Sequence, residues 1–181
     1  VSKLEYDSQP MNIETIQVVP FARGIVADYL NTGIDVQYDL EFFDTPTVQE
    51  CVIQGDERLL RRAVRNLIDN AMRHNGEGCK IALSLDVEHS SMLALTVADN
   101  GRGCDTSRIG ALMAQASTPD ASYDAHGLGL TLVSRISIMH GGYVSFASEP
   151  KRGFTATMRI PHRNASERPA ASQITRKRIL F

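Results

Sequence analysis

The sequence predicts an α/β fold, a two-layer sandwich with helices on one face of a mixed, mostly antiparallel sheet. Three observations predict it. Leu59, Leu60, Ala63, Val64, Leu67, Ile68, Ala71 and Met72 recur in pairs every four residues, the buried stripe of an amphipathic helix around Arg61–Asn75. Two pairs of alternating segments, Ile81–Val87 with Leu93–Val97 and Val144–Phe146 with Phe154–Ile160, read as antiparallel hairpins. The order helix, two strands, long helix, two strands, loop, helix, two strands lacks a regular βαβ alternation, so one mixed sheet with helices gathered on one side is the simplest packing.

The remaining elements follow from local signals. Val1–Asp7 reads as the tail of a preceding helix, closed off by Pro10. Pro20 suits a first helical turn, and Phe21, Ile25 and Tyr29 continue that helix to about Leu30. Ile34, Val36, Tyr38, Leu40 and Phe42 alternate with polar residues and predict a strand; a shorter one is predicted over Val48–Ile53. Gly76 and Gly78 end the long helix. A weakly helical segment near Ser107–Ala116 precedes Ser117–Ala125, which is small, polar and expected to be mobile. A helix opens at Gly127 and stops at His140-Gly141-Gly142. Pro161 is expected to end the fold. The domain reading is thus 1–10 as the end of a preceding helix and linker, 11–161 as the folded domain, and 162–181 as a basic, disordered tail.

Composition narrows the function. The chain has 181 residues, 43% hydrophobic and 22% charged, enough to bury a core within one domain. A formal net charge of −2 gives no argument for nucleic acid. Arg163, Arg168, Arg176, Lys177 and Arg178 face only Glu167 in the last stretch, so the body before it is more acidic than the total. Such a body must hold a polyphosphate by local donors and a metal, because its overall field repels one. Cys51, Cys79 and Cys104 lie far apart, with neither a zinc spacing nor a disulfide count, and reduced thiols are expected. No run approaches the ~18 apolar residues of a membrane span.

Three motifs carry the chemistry. Asn66, Asn70 and Arg73 stand at i, i+4 and i+7 and form a polar line beside the apolar stripe of the long helix. Asp99-Asn100-Gly101-Arg102-Gly103 follows a buried strand, where the carboxylate of Asp99 can accept from the exocyclic amine of adenine and repel the carbonyl of guanine. Gly101 and Gly103 are expected to let a flat base approach the backbone. Gly127-Leu128-Gly129-Leu130 runs into a helix and leaves backbone N–H groups free for an anion. There is no Gly-Lys-Ser/Thr, and the third glycine of a dinucleotide fingerprint is missing.

Asn66-x-x-x-Asn70-Ala-x-Arg73-His74, Asp99-x-Gly101-x-Gly103 and Gly127-Leu128-Gly129-Leu130 together resemble the asparagine box and two glycine boxes of the ATP-binding catalytic domain of sensor histidine kinases. That domain belongs to the superfamily shared with gyrase, Hsp90 and MutL, and the resemblance runs from about Val1 to Pro161. It implies the Bergerat-type sandwich. It implies that Asn70 ligates Mg²⁺, that Asn66 lies near the phosphates or metal, and that Arg73, in place of the usual lysine, contacts phosphate. His74 would line the nucleotide, Asp99 would read adenine, Gly127–Leu130 would offer backbone donors, and Ser117–Ala125 would form the lid. Asn66 stands where gyrase-like members carry a glutamate base; an amide takes no proton at neutral pH, which argues for phosphoryl donation and against hydrolysis.

The resemblance further implies a histidine-bearing dimerisation domain and a response regulator as partners, a cytoplasmic location, a monomeric fragment and a homodimeric parent. The alternatives are a related ATPase or serine kinase, and a silent nucleotide-binding module. Departures are visible. Ile109, Leu112 and Met113 replace a usual phenylalanine, and Phe154 follows Gly153 where the family has a threonine that reaches adenine through water; the resemblance passes that role to the nearest threonine, Thr155, on the opposite strand face. The lid has no Lys or Arg, so Arg73, the metal and His126 are expected to carry the charge at the terminal phosphate.

Overall fold

A computed structural model describes residues 10–34, 37–88, 91–116 and 128–165. Val1–Asp7, the lid Ser117–Ala125, His126, Gly127, the side chains of Leu112 and Leu128, and the tail beyond residue 165 lie outside the described residues.

Among the described residues, eight strands and four helices run in the order β1 (Glu14–Gln17), α1 (Val18–Leu30), β2 (Asp39–Asp44), β3 (Cys51–Gly55), α2 (Glu57–His74), β4 (Lys80–Glu88), β5 (Met92–Asp99), α3 (Thr106–Ala116), α4 (Leu128–Met139), β6 (Tyr143–Ser148), β7 (Phe154–Pro161) and β8 (Arg163–Asn164). The main sheet has the order β2-β4-β5-β7-β6; β2 lies parallel to β4 and every other pair is antiparallel. The sandwich with helices on one face is therefore as the sequence predicts. Alternation decides which side is which. Ile81, Leu83, Leu85, Leu93, Leu95, Val97, Ala156, Met158 and Ile160 point into the core shared with Ile25, Leu60, Val64 and Ile68 of α1 and α2. The intervening residues face outward, where Thr96 donates to Thr157 and Arg159 grips Glu88.

The helical stripe is as predicted, with Leu59 to Ala71 buried and Met72 half-buried. The strand expected from Ile34 instead begins at Asp39. Gly33 has φ +75, and both Gln37 N–H and Tyr38 N–H donate to the Ile34 carbonyl at 2.9 Å, so a turn consumes the hydrogen bonds a strand needs. The alternation there was real, because Ile34 and Tyr38 still pack on the core. The strand expected at Val48 begins at Cys51, after a single 3₁₀ turn over Pro46–Val48.

A second, three-stranded sheet, β1-β3-β8, goes beyond the single sheet the sequence suggested. It also corrects the boundary at Pro161: Val52 pairs with Arg163, Cys51 with Asn164, and Ala165 N–H reaches the Glu50 carbonyl at 2.8 Å. β1 has four residues and buries only Ile16, too little alternation to be visible in the sequence.

Candidate functional site

The start of α2 is pinned before its functional half begins. Asp56 caps the helix, accepting from Leu59 N–H at 3.2 Å through one oxygen and from Asn12 N–H at 3.1 Å through the other. His140, at the end of α4, accepts the Asp56 N–H on Nε2 at 3.0 Å, and its Nδ1 meets the Ile136 carbonyl at 2.7 Å. That pairing requires a neutral ring with its proton on Nδ1. A methyl group on Gly55 would come within 2.6 Å of His140 Cδ2, so the pin needs a glycine beside it.

Burial favours a protonated Asp56, yet the two backbone donors and Arg58 outweigh it and hold its pKa below the ordinary carboxylate value. A depressed folded pKa contributes stability above the unfolded pKa and loses it as pH falls through the folded one. Asp56→Asn still caps the helix but turns an amide donor toward the Asn12 N–H. It is expected to lower stability by about 1–2 kcal/mol at pH 7, with the gap narrowing below pH ~4. Urea unfolding of both proteins at pH 7 and pH 3 checks this; a gap independent of pH would contradict it.

The C-terminal half of α2 forms one wall of an open, half-polar cavity. Asn70, His74 and Asn75 line it from α2, Asp99, Arg102, Gly103 and Cys104 from the end of β5 and the loop after it, Arg108 from α3, Leu130 from α4 and Phe154 from β7. Asp99 is held through one oxygen, which accepts from Gly101 N–H at 2.9 Å and Phe154 N–H at 3.3 Å; no described residue donates to the other. The Asn70 side chain makes no hydrogen bond among the described residues, so its amide is available to a ligand.

The glycines also answer to contacts within the protein. A Cβ on Gly101 would stand 1.8 Å from Asn75 Oδ1, and one on Gly103 (φ +62) would stand 2.0 Å from the Glu149 carbonyl oxygen. Packing alone therefore disfavours a side chain at either position. Gly153 (φ +84) completes the clamp, since its Cβ would fall 1.8 Å from the Asp99 carbonyl oxygen. The β6–β7 turn is tied in further: Lys151 N–H donates to the Arg102 carbonyl at 2.7 Å, and Cys104 N–H to Ser148 Oγ at 2.9 Å.

Of the predicted site residues, Asn70, His74, Asp99, Gly103 and Leu130 share the cavity. Gly101 lies one position from its wall, locked by Asn75, whose Oδ1 also accepts the Arg102 N–H at 3.1 Å. Asn66 does not line the cavity. Its amide donates to the Arg62 carbonyl at 2.9 Å, and its oxygen lies 3.5 Å from where a Cβ of Gly129 would stand, beside the first turn of α4. Arg73 is exposed and outside the cavity. Thr155 is also outside, because Phe154 and Ala156 take the inward face of β7 and Thr155 the outward one.

Sequence reasoning missed Asn75, Arg102, Cys104, Arg108 and Phe154. Only Asn75, at the end of the helix, carried a usable signal. Immediately before β4, burial and the Asp99 charge push the Cys79 thiol up, so it stays protonated. Among the described residues no group of three His, Cys, Asp or Glu side chains gathers as a metal site, and no helix is long and apolar enough to cross a membrane.

Comparison with known proteins agrees with this geometry. Residues 55–164, more than half of the chain, match the family described as histidine kinase-, DNA gyrase B-, and HSP90-like ATPase. Sensor histidine kinase YvrG of Bacillus subtilis (strain 168) is 28% identical over 160 residues, covering 86% of this chain and 27% of its own length. Sensor protein BasS of Salmonella typhimurium is 33% identical over 125 residues, covering 69% of this chain and 34% of its own. The chain thus spans about a third of the length of these curated relatives. Among solved structures, the nucleotide-free catalytic domain of histidine kinase ThkA superposes with a TM-score of 0.69 at 18% identity, over 83% of this chain and 96% of that one. ShkA, solved full-length in complex with AMPPNP, gives 0.69 at 21% identity, over 87% of this chain and 33% of that one.

The chain belongs to the family of histidine kinase-, gyrase B- and HSP90-like ATPases. Within that family it is an ATP-binding catalytic domain of the sensor histidine kinase kind.

Proposed function

We propose that this chain holds Mg²⁺-ATP and donates its γ-phosphoryl group to a histidine on the dimerisation domain of the same parent protein, which then passes it to a response regulator. One observation carries the reading: Asn70, His74 and Asp99 converge on one cavity, from α2 and from the end of the adjoining β5. Adenine reaches the open oxygen of Asp99 through its amine, with Leu130 and Phe154 as apolar walls. Asn70 is a hard oxygen ligand suited to a cation that otherwise keeps waters and phosphate oxygens, and its unpaired amide fits that role. When bound, Mg²⁺ neutralises charge on the transferring phosphoryl group. The protein's own part is positioning: α4 begins at Leu128 and turns its first N–H groups, with Gly129 and the neighbouring Asn66, toward the phosphates. In the transfer, the bond from the β–γ bridging oxygen to the γ-phosphorus breaks, a bond to a histidine ring nitrogen forms, and ADP leaves.

Hydrolysis fits less well. Asp99 is the only carboxylate lining the cavity among the described residues; two backbone donors hold it, and Asn66 is an amide. The parent is proposed to be a cytoplasmic or membrane-tethered homodimer and this segment by itself a monomer. Calorimetric titration with ATP, with and without Mg²⁺, followed by phosphoryl transfer to an added histidine-bearing domain, tests the reading. Metal-dependent binding with transfer is expected. Steady hydrolysis by the chain alone, or binding without any transfer, would overturn it.

A further inference from the structure

Two guanidinium groups border the cavity, Arg102 from the loop after β5 and Arg108 from α3. Both are exposed, and neither side chain makes an ion pair or hydrogen bond among the described residues. That sets them apart from most arginines of the described chain. Arg23 is paired with Asp44, Arg58 with Asp56, Arg61 with Glu57, Arg65 with Asp28, Arg152 with Glu149 and Arg159 with Glu88. Backbone bonds hold the main chain of Arg102, whose N–H donates to Asn75 and whose carbonyl accepts from Lys151, so only its side chain is free to swing. With Asp99 the only carboxylate on the wall among the described residues, their lining carries a net positive charge.

We infer that Arg102 and Arg108, and not Arg73, supply the cationic grip on the polyphosphate of the bound nucleotide. This rests on the ATP reading of the cavity. It reassigns a charge that the asparagine-box arginine was expected to carry. Ordering a free guanidinium costs rotamer entropy, which a single neutral partner does not repay; a chain of phosphates offers each fork a charged, bidentate acceptor. The two arginines approach from the loop and α3, while Asn70 stands on α2, so charge stabilisation and metal ligation come from different walls.

The inference is tested by calorimetry with adenosine, AMP, ADP and ATP in the presence of Mg²⁺, on the wild-type chain, Arg102→Ala/Arg108→Ala and Arg73→Ala. The double variant is expected to bind adenosine within two-fold of wild type, which also serves as its folding control, and to bind ADP and ATP about 10- to 100-fold more weakly. The salt dependence of ATP binding should flatten with it. Arg73→Ala should change none of the four affinities by more than about three-fold. Unchanged ATP affinity in the double variant, an equal loss for adenosine, or the loss appearing in Arg73→Ala instead would each overturn the assignment and leave the ATP reading standing. Wild-type protein that binds adenosine and ATP equally, or neither, would sink both.

Discussion

Replacing Asp99 with Asn is expected to weaken ATP binding by at least about 100-fold and to erase the preference for adenine over guanine. The reason lies in what already occupies the carboxylate. Gly101 N–H and Phe154 N–H both point at one oxygen, so an amide in its place must leave its carbonyl oxygen there and turn its NH₂ toward the base. Donor then meets donor at the adenine amine, while the carbonyl of guanine finds a partner. Competition of ATP and GTP for the variant, read by calorimetry, decides the matter. Retention of ATP affinity within about three-fold would place the base elsewhere.

Asn70→Ala is expected to separate stability from function. The Asn70 side chain gives no hydrogen bond to the rest of the described chain, and alanine is the better helix former by roughly 0.5 kcal/mol, so the melting temperature should hold or rise slightly. Mg²⁺ should cease to strengthen ATP binding, and phosphoryl transfer should fall by about 100-fold or more, as for loss of a direct metal ligand. A variant that melts early, or one in which Mg²⁺ still tightens ATP, would remove Asn70 from the metal.

The elements most legible in the sequence were those in which one periodicity dominates. α2 shows its buried stripe through four turns, and β4, β5 and β7 alternate over eight or nine residues, so each announces its inward face. Where two signals competed, the pattern alone misled. Ile34 and Tyr38 belong to the core, yet a turn at Gly33 takes their backbone bonds, and packing without pairing looks like a strand in a one-dimensional reading. Asn70 and Asp99 were legible as a pair because each sits at a recognisable place on its element. Arg102 and Arg108 were not, because a cation on a loop or a short helix has no periodicity to betray what it faces. Gly101 and Gly103 have a packing role that the sequence did not show. Their neighbours, Asn75 and Glu149, are distant in sequence, and nothing local reports a close approach from across the fold.

The meeting of Gly103 and Gly153 with backbone carbonyls has a consequence for how this domain can change over evolutionary time. The turn between β6 and β7 touches the cavity only through Phe154, at its end, yet an inserted residue or added methyl there would shove the strand end that carries Asp99. A peripheral bend of the chain is therefore as unforgiving of drift as the residues proposed to hold the nucleotide, and variants recovered there should read as ligand-binding defects although they alter no proposed ligand contact.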